Sequence, residues 1–137
     1  MKKYFLVFLL LIVFLIAGCQ SKTLIGETVT LPNGSYQNIT AVNLNTLLKN
    51  KDFIFINVHI PFAGNIAGTD LSIPYDQIEQ NLSQLPSDKS AKIVLYCRSG
   101  HMSRIAAEKL VSLGYSSIWN LDGGMVGWEQ AGYEIEK

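Results

Sequence analysis

The 137-residue chain holds only two arginines, two cysteines and two histidines. So few imidazoles and thiols leave a zinc-type centre without its three or four ligands, so no metal is expected. The formal net charge is zero and no basic run follows the chain, which excludes a nucleic-acid partner. With Cys19 and Cys97 so far apart and in such different surroundings, there is no resolving cysteine for thiol–disulfide exchange. Internal repeats and low-complexity segments are also missing. Against this scarcity, both arginines, Arg98 and Arg104, fall in one stretch, "CRSGHMSR" at 97–104, together with Cys97 and His101.

The N-terminus is of a different kind. Lys2 and Lys3 precede an unbroken apolar run from Tyr4 to Ile16, followed by "IAGC" at 16–19. A positive start, a short apolar segment and small residues at a cleavage position make a secretory signal. The run is shorter than the roughly 20 residues a spanning helix needs. "IAGC" resembles the bacterial lipobox, in which the chain is cut before the cysteine and that cysteine is lipidated. The expectation is a signal peptide over 1–18 and lipid on Cys19. The domain is then extracytoplasmic, membrane-anchored in the periplasm or on the outer cell surface. Losing Lys2 and Lys3 leaves nine basic residues against eleven acidic ones in 119 residues, enough for one domain with one core. Cys97 is then the sole free thiol.

Residues 19–35 read as a tether, with room for a short strand at "TVTL" (28–31). From 36 to 137 strands and helices alternate. Strands are expected at 36–40, 53–58, 92–96 and 116–121, with an edge strand at 71–75 limited by Pro74. Helices are expected at 41–50, 75–85, 103–114 and 123–132. Ser103 is the expected cap of the third, and Ile105, Ala106, Leu110 and Leu113 its apolar face. Such alternation specifies an α/β fold of three layers, a central parallel sheet with helices on both faces. Tyr115 and Trp128 are core candidates. Nothing in the pattern calls for an oligomer, so a monomer is expected.

"CRSGHMS" joins the apolar strand "KIVLY" to the third helix. Ligands of open α/β sheets sit beyond the carboxyl ends of the strands, against a helix N-terminus. At that spot inward loop amides and the positive helix end favour a thiolate on Cys97. Arg98, Ser99, Gly100, His101, Met102 and Ser103 are the candidate substrate-binding loop. Arg104 and His59 are candidates for electrostatic support.

The stretch from Tyr96 to Glu136 resembles the C-terminal half of single-domain rhodaneses. It has a Cys-led loop, a helix and a tail of Gly114, Tyr115, Asn120, Leu121, Gly123, Gly124, Trp128 and Gly132. The resemblance extends over roughly 40–137 and implies a rhodanese-like fold. It also implies a sulfurtransferase that moves sulfane sulfur from a donor such as thiosulfate to cyanide or a thiol. Sulfur would pass through a persulfide on Cys97, with no cofactor and with small sulfur anions and thiols as partners. Three departures stand out. Asn57-Val58-His59 replaces the common "DVR", "GNIAGT" replaces "GHIPGA", and Met102 stands where many relatives carry a second Arg. These departures support an alternative, a non-catalytic lipid-anchored module that binds a partner or carries sulfur. A phosphatase or arsenate reductase would need Arg six positions after the cysteine, where this chain has Ser103.

Overall fold

The computed structural model describes residues 25–137, so the expected signal peptide over 1–18, Cys19 and the first part of the expected tether lie outside the described residues. The alternation in "TVTL" pairs β1 (Glu27–Leu31) antiparallel with β2 (Gly34–Ile39) through a turn at Pro32 and Asn33. Val29 and Leu31 pack on the core and Thr28 hydrogen-bonds Gln37 across the pair. Residues 27–35 are therefore part of the sheet, and the tether expected through 35 stops short of Glu27.

After β2 come α1 (Ala41–Leu48), β3 (Ile54–Asn57), β4 (Leu71–Ser72), β5 (Ile93–Tyr96), α2 (His101–Ser112), β6 (Ile118–Leu121) and α3 (Gly124–Gln130). Thr40 and Asn43 cap α1 reciprocally, side chain to backbone in both directions, satisfying two amides that a helix start leaves open. The expected helix over 75–85 is instead two 3-10 segments, Tyr75–Gln77 and Glu79–Gln84. Asn81 leaves helical geometry there, its side chain bonded to the Gln77 carbonyl at 2.8 Å. A side-chain bond of this kind competes with the helix ladder. Ile78, Leu82 and Leu85 still turn toward the core.

The sheet order is β1-β2-β6-β5-β3-β4, parallel except for the β1–β2 hairpin. β5 lies between β6 and β3, buried on both faces, as its continuous apolar run requires. Its period of two divides the core. Ile93 and Leu95 join Ile56, Val58, Ala106, Ala107 and Leu110 on the α2 face. Val94 and Tyr96 join Phe55, Leu44, Met125 and Trp128 on the opposite face, with α1 and α3. This is the expected three-layer α/β arrangement. Tyr115 and Trp128 are buried as expected. Ile105 is not: it is exposed on α2 despite its helical spacing. Among the described residues no helix is long and apolar enough to cross a membrane.

Tyr96 carries a polar tip into the second face. Its hydroxyl accepts from the Ile66 amide at 3.0 Å, donates to Asn65 Oδ1 at 3.2 Å and lies 2.7 Å from Thr69 Oγ1. Burial raises its pKa above the ordinary phenol value, so it stays a neutral donor and acceptor. This one oxygen fastens the loop after β3 to the end of β5, beside Cys97. Tyr96→Phe leaves the buried Ile66 amide unpaired and should cost about 1–3 kcal/mol in urea unfolding. An unchanged midpoint would remove the hydroxyl from that role.

Candidate active site

The alternation along β5 continues past its end. Ile93, Leu95 and Cys97 form one row on the α2 face, and Cys97 packs in that cluster with 1 % of its surface exposed. Arg98 falls on the other side, exposed, and lines a pocket with Ala63, Met125 and Val126. The loop then turns through Gly100, which caps α2.

Two hydrogen bonds hold the loop from outside. The Met125 amide donates to the Cys97 carbonyl and the Val126 amide to the Arg98 carbonyl, each at 2.9 Å. In a trans peptide the C=O and the following N–H point opposite ways. Drawing these carbonyls toward α3 therefore turns the Arg98 and Ser99 amides away from α3, into the loop. The Gly100 amide donates to Cys97 Sγ at 3.0 Å, and Ser103 Oγ lies 3.5 Å from the same sulfur. The amides of Arg98, Ser99, His101, Met102 and Ser103 have no acceptor among the described residues. A concavity of unpaired amides at a helix start suits an anion.

Ser103 does not cap α2. The helix begins two residues earlier, at His101, which places Ser103 inside the first turn, fully buried against the sulfur. Ser99 and His101 are exposed at the rim. Met102 is half-buried and packs against the α2-face core, so it fills space under the loop. Arg104 is exposed, and its charge acts on the Tyr36 hydroxyl, on the β2 side of α2. The surroundings of His59 disfavour its charged form. Burial first, and the Arg98 guanidinium second, hold its imidazole below the ordinary value, which favours the neutral ring. Its Nδ1 is buried without a partner. Arg98 and Arg104 form no ion pair among the described residues.

The residue that matters beside His59 is Asn57, which is buried at the end of β3. Its Nδ2 donates to the Gly64 carbonyl and to Asn65 Oδ1, both at 2.9 Å, and its Oδ1 accepts from the His59 amide at 3.0 Å. A neutral amide thus braces the loop without a charge pair. The chain end joins the same loop. Asn65 and Glu136 exchange two backbone bonds of 2.7 and 2.8 Å, and Trp128 Nε1 donates to the Glu134 carbonyl. Gly64 permits this approach, since a Cβ there would lie 2.6 Å from the Glu136 oxygen.

Fold and site together define an α/β protein whose single described thiol sits in an amide-lined loop at a strand end. The rhodanese-like domain signature matches residues 45–131. A sulfurtransferase from Allochromatium vinosum is 31 % identical over 65 % of this chain and 83 % of its own length. The thiosulfate sulfurtransferase/rhodanese-like domain-containing protein 3 of Mus musculus is 30 % identical over 74 % of this chain and 72 % of its own. Among solved structures, a rhodanese-related protein from Thermoplasma volcanium superimposes with a TM-score of 0.62. It is 29 % identical and the match covers 73 % of this chain and 97 % of that one. The chain belongs to the rhodanese-like domain family, and that membership supports a role in sulfur transfer.

Gly124 tests the geometry of the loop. It has φ +54°, and a Cβ there would fall on the Cys97 carbonyl oxygen and 2.8 Å from the Arg98 carbonyl. Gly124→Ala should cost about 2–4 kcal/mol from backbone strain and the forced shift. Any sulfur-transfer activity should drop more than about tenfold, as a displaced loop predicts. A variant matching wild type in both thermal unfolding and activity would mean that the α3 contact does not shape the loop.

Proposed function

We propose that the domain is a sulfurtransferase working through a persulfide on Cys97. The observation that carries this reading is the Gly100 amide on Sγ at 3.0 Å, in a loop whose neighbouring amides have no acceptor among the described residues. Such a site stabilises a thiolate, then a persulfide anion, by the same donors.

In the first half-reaction the Cys97 thiolate attacks the outer sulfur of thiosulfate. The new S–S bond forms as the old one breaks, and sulfite leaves with both its charges, so the enzyme persulfide carries one negative charge. In the second, cyanide or a thiol attacks the outer sulfur, and Cys97 departs as thiolate. Cyanide leaves as thiocyanate, whereas a thiol leaves as R–S–SH, its proton retained on the product. Arg98 is the arginine nearest Cys97 in sequence, and its charge is the one proposed to attract the anionic donor. The depth of the sulfur favours a slender, single-atom-wide donor over a bulky one. Partners on this reading are small sulfur anions and thiols, and the chain acts as a monomer.

Purified domain mixed with thiosulfate should gain the mass of one sulfur atom on Cys97, and cyanide should remove it. Cys97→Ser should lose both steps while keeping its thermal transition. Intact-protein mass spectrometry decides the matter. A mass that no sulfane donor changes would favour the non-catalytic module.

We further propose that the chain is a lipoprotein held outside the cytoplasm through Cys19. The support is the basic start, short apolar run and "IAGC". Cys19→Ala should abolish fatty-acid labelling and the associated cleavage. Labelling that persists in the variant would rule out Cys19 as the anchor.

A further inference from the structure

The register of the sheet fixes the end at which the chain enters the domain. Glu27 on β1 pairs with Asn38 on β2, Asn38 with Asn120 on β6, and Asn120 with Leu95 on β5. These residues form one row across the sheet. Because β1 runs antiparallel, Ile25, two residues before Glu27, reaches the level that Cys97 reaches two residues after Leu95. The two stand at the carboxyl end of the parallel strands, three strand spacings or about 14 Å apart. Gly26 still runs close along β2 there, since a Cβ on it would fall on the Asn38 carbonyl oxygen.

The same end collects the large apolar side chains left exposed among the described residues: Ile25, Val42, Phe62, Ile105 and Val126. Val42 is the second residue of α1, which starts just after β2. Phe62 lies in the loop that Asn57 ties to the end of β3 through the Gly64 carbonyl. Val126 is in the first turn of α3, its amide on the Arg98 carbonyl, and Ile105 is in the second turn of α2. The opposite end is charged instead. Lys51 and Lys92, ahead of β3 and β5, pair with Asp70 and Asp52, and Lys109 in the last turn of α2 pairs with Glu79.

The length of the leader sets what this end can face. Ile25 is six residues after Cys19, a reach of at most about 22 Å even when fully extended. A domain of this size is about 35 Å across. A chain held by lipid on Cys19 is therefore too short to pass around the domain and turn its opposite end to the membrane. We infer that the carboxyl end of the sheet rests on the bilayer that holds Cys19, with Ile25, Val42 and Phe62 in the headgroup region and the cysteine loop opening at the interface. Apolar side chains at such a boundary leave water for the acyl edge, as the apolar face of an interfacial helix does. Glu27 and Asp122 are exposed at this end as well as Arg98 and Arg104, so the contact rests on apolar area more than on charge. This inference deepens the lipoprotein reading and rests on it.

The test places a spin label on the chain as purified from membranes, reconstituted in phosphatidylcholine–phosphatidylglycerol vesicles. Cys97→Ser removes the native thiol, and Val42→Cys, Phe62→Cys or Ser87→Cys supplies one labelling site. All three positions are exposed, and Ser87, ahead of β5, marks the opposite end. On vesicles, labels at 42 and 62 should lose contact with a water-soluble nickel chelate and gain contact with membrane-dissolved oxygen, while the label at 87 stays aqueous. Labels that are equally aqueous at both ends overturn the inference and leave this end to a protein partner; immersion of position 87 overturns it too. The mass of the N-terminal peptide reports separately whether Cys19 carries lipid. Without lipid the anchor reading fails, but a chain held by its uncleaved apolar run gives the same label readout. A chain released from the membrane is judged by sedimentation with the same vesicles. Binding that is lost in Phe62→Ser would support the surface, and no binding by the wild type would overturn it.

Discussion

The loop around Cys97 depends on two carbonyls being held outward. Left to itself, a four-residue segment between a strand and a helix has no reason to turn its amides inward. The amides of Met125 and Val126 supply that reason by accepting no other role than donors to the Cys97 and Arg98 carbonyls. Helix α3 is thus the mould against which the loop is cast, and Gly124, its first residue, is what lets the two backbones meet. The Gly100–Sγ bond and the unpaired amides follow from this arrangement.

The other side of the site is held by neutral hydrogen bonds where the family pattern would lead one to look for charge. Asn57, Tyr96, Asn65 and Thr69 satisfy one another and the backbone of the loop after β3. Neutral partners avoid the desolvation cost that a buried ion pair must recover through its own geometry. His59, in this setting, is pressed toward its uncharged form by burial and by Arg98. The positive character of the site therefore comes from backbone amides and Arg98, with less from side-chain cations than the sequence pattern implied.

Much of the fold was legible because its signals are local and periodic. The runs at 53–58 and 92–96 could only be buried strands, and the three layers follow from their alternation with helices. The loop was legible because its composition is so unlike the rest of the chain. What was hidden depends on long-range approach. Nothing near Gly124 in sequence announces the carbonyls it meets, and nothing near Glu136 announces Asn65. Ser103 looked like a cap because it is a serine before an apolar run, yet Gly100 had already started the helix. The break at Asn81 likewise needed knowledge of where its side chain would bond. Asn57 carried a readable sign, a polar residue inside an apolar strand, which a buried position must satisfy.

The depth of Cys97 has a consequence for what the thiol can meet. A disulfide needs two Cα atoms within about 7 Å of each other. A sulfur seated behind its own loop cannot offer that approach to a second copy of the chain, so two molecules colliding at this face do not crosslink. Adding one sulfur atom changes the reach, because an S–S bond sets the new atom about 2 Å farther out. On the persulfide reading proposed above, the same side chain is sheltered as a thiol and, once loaded, reaches one S–S bond length farther.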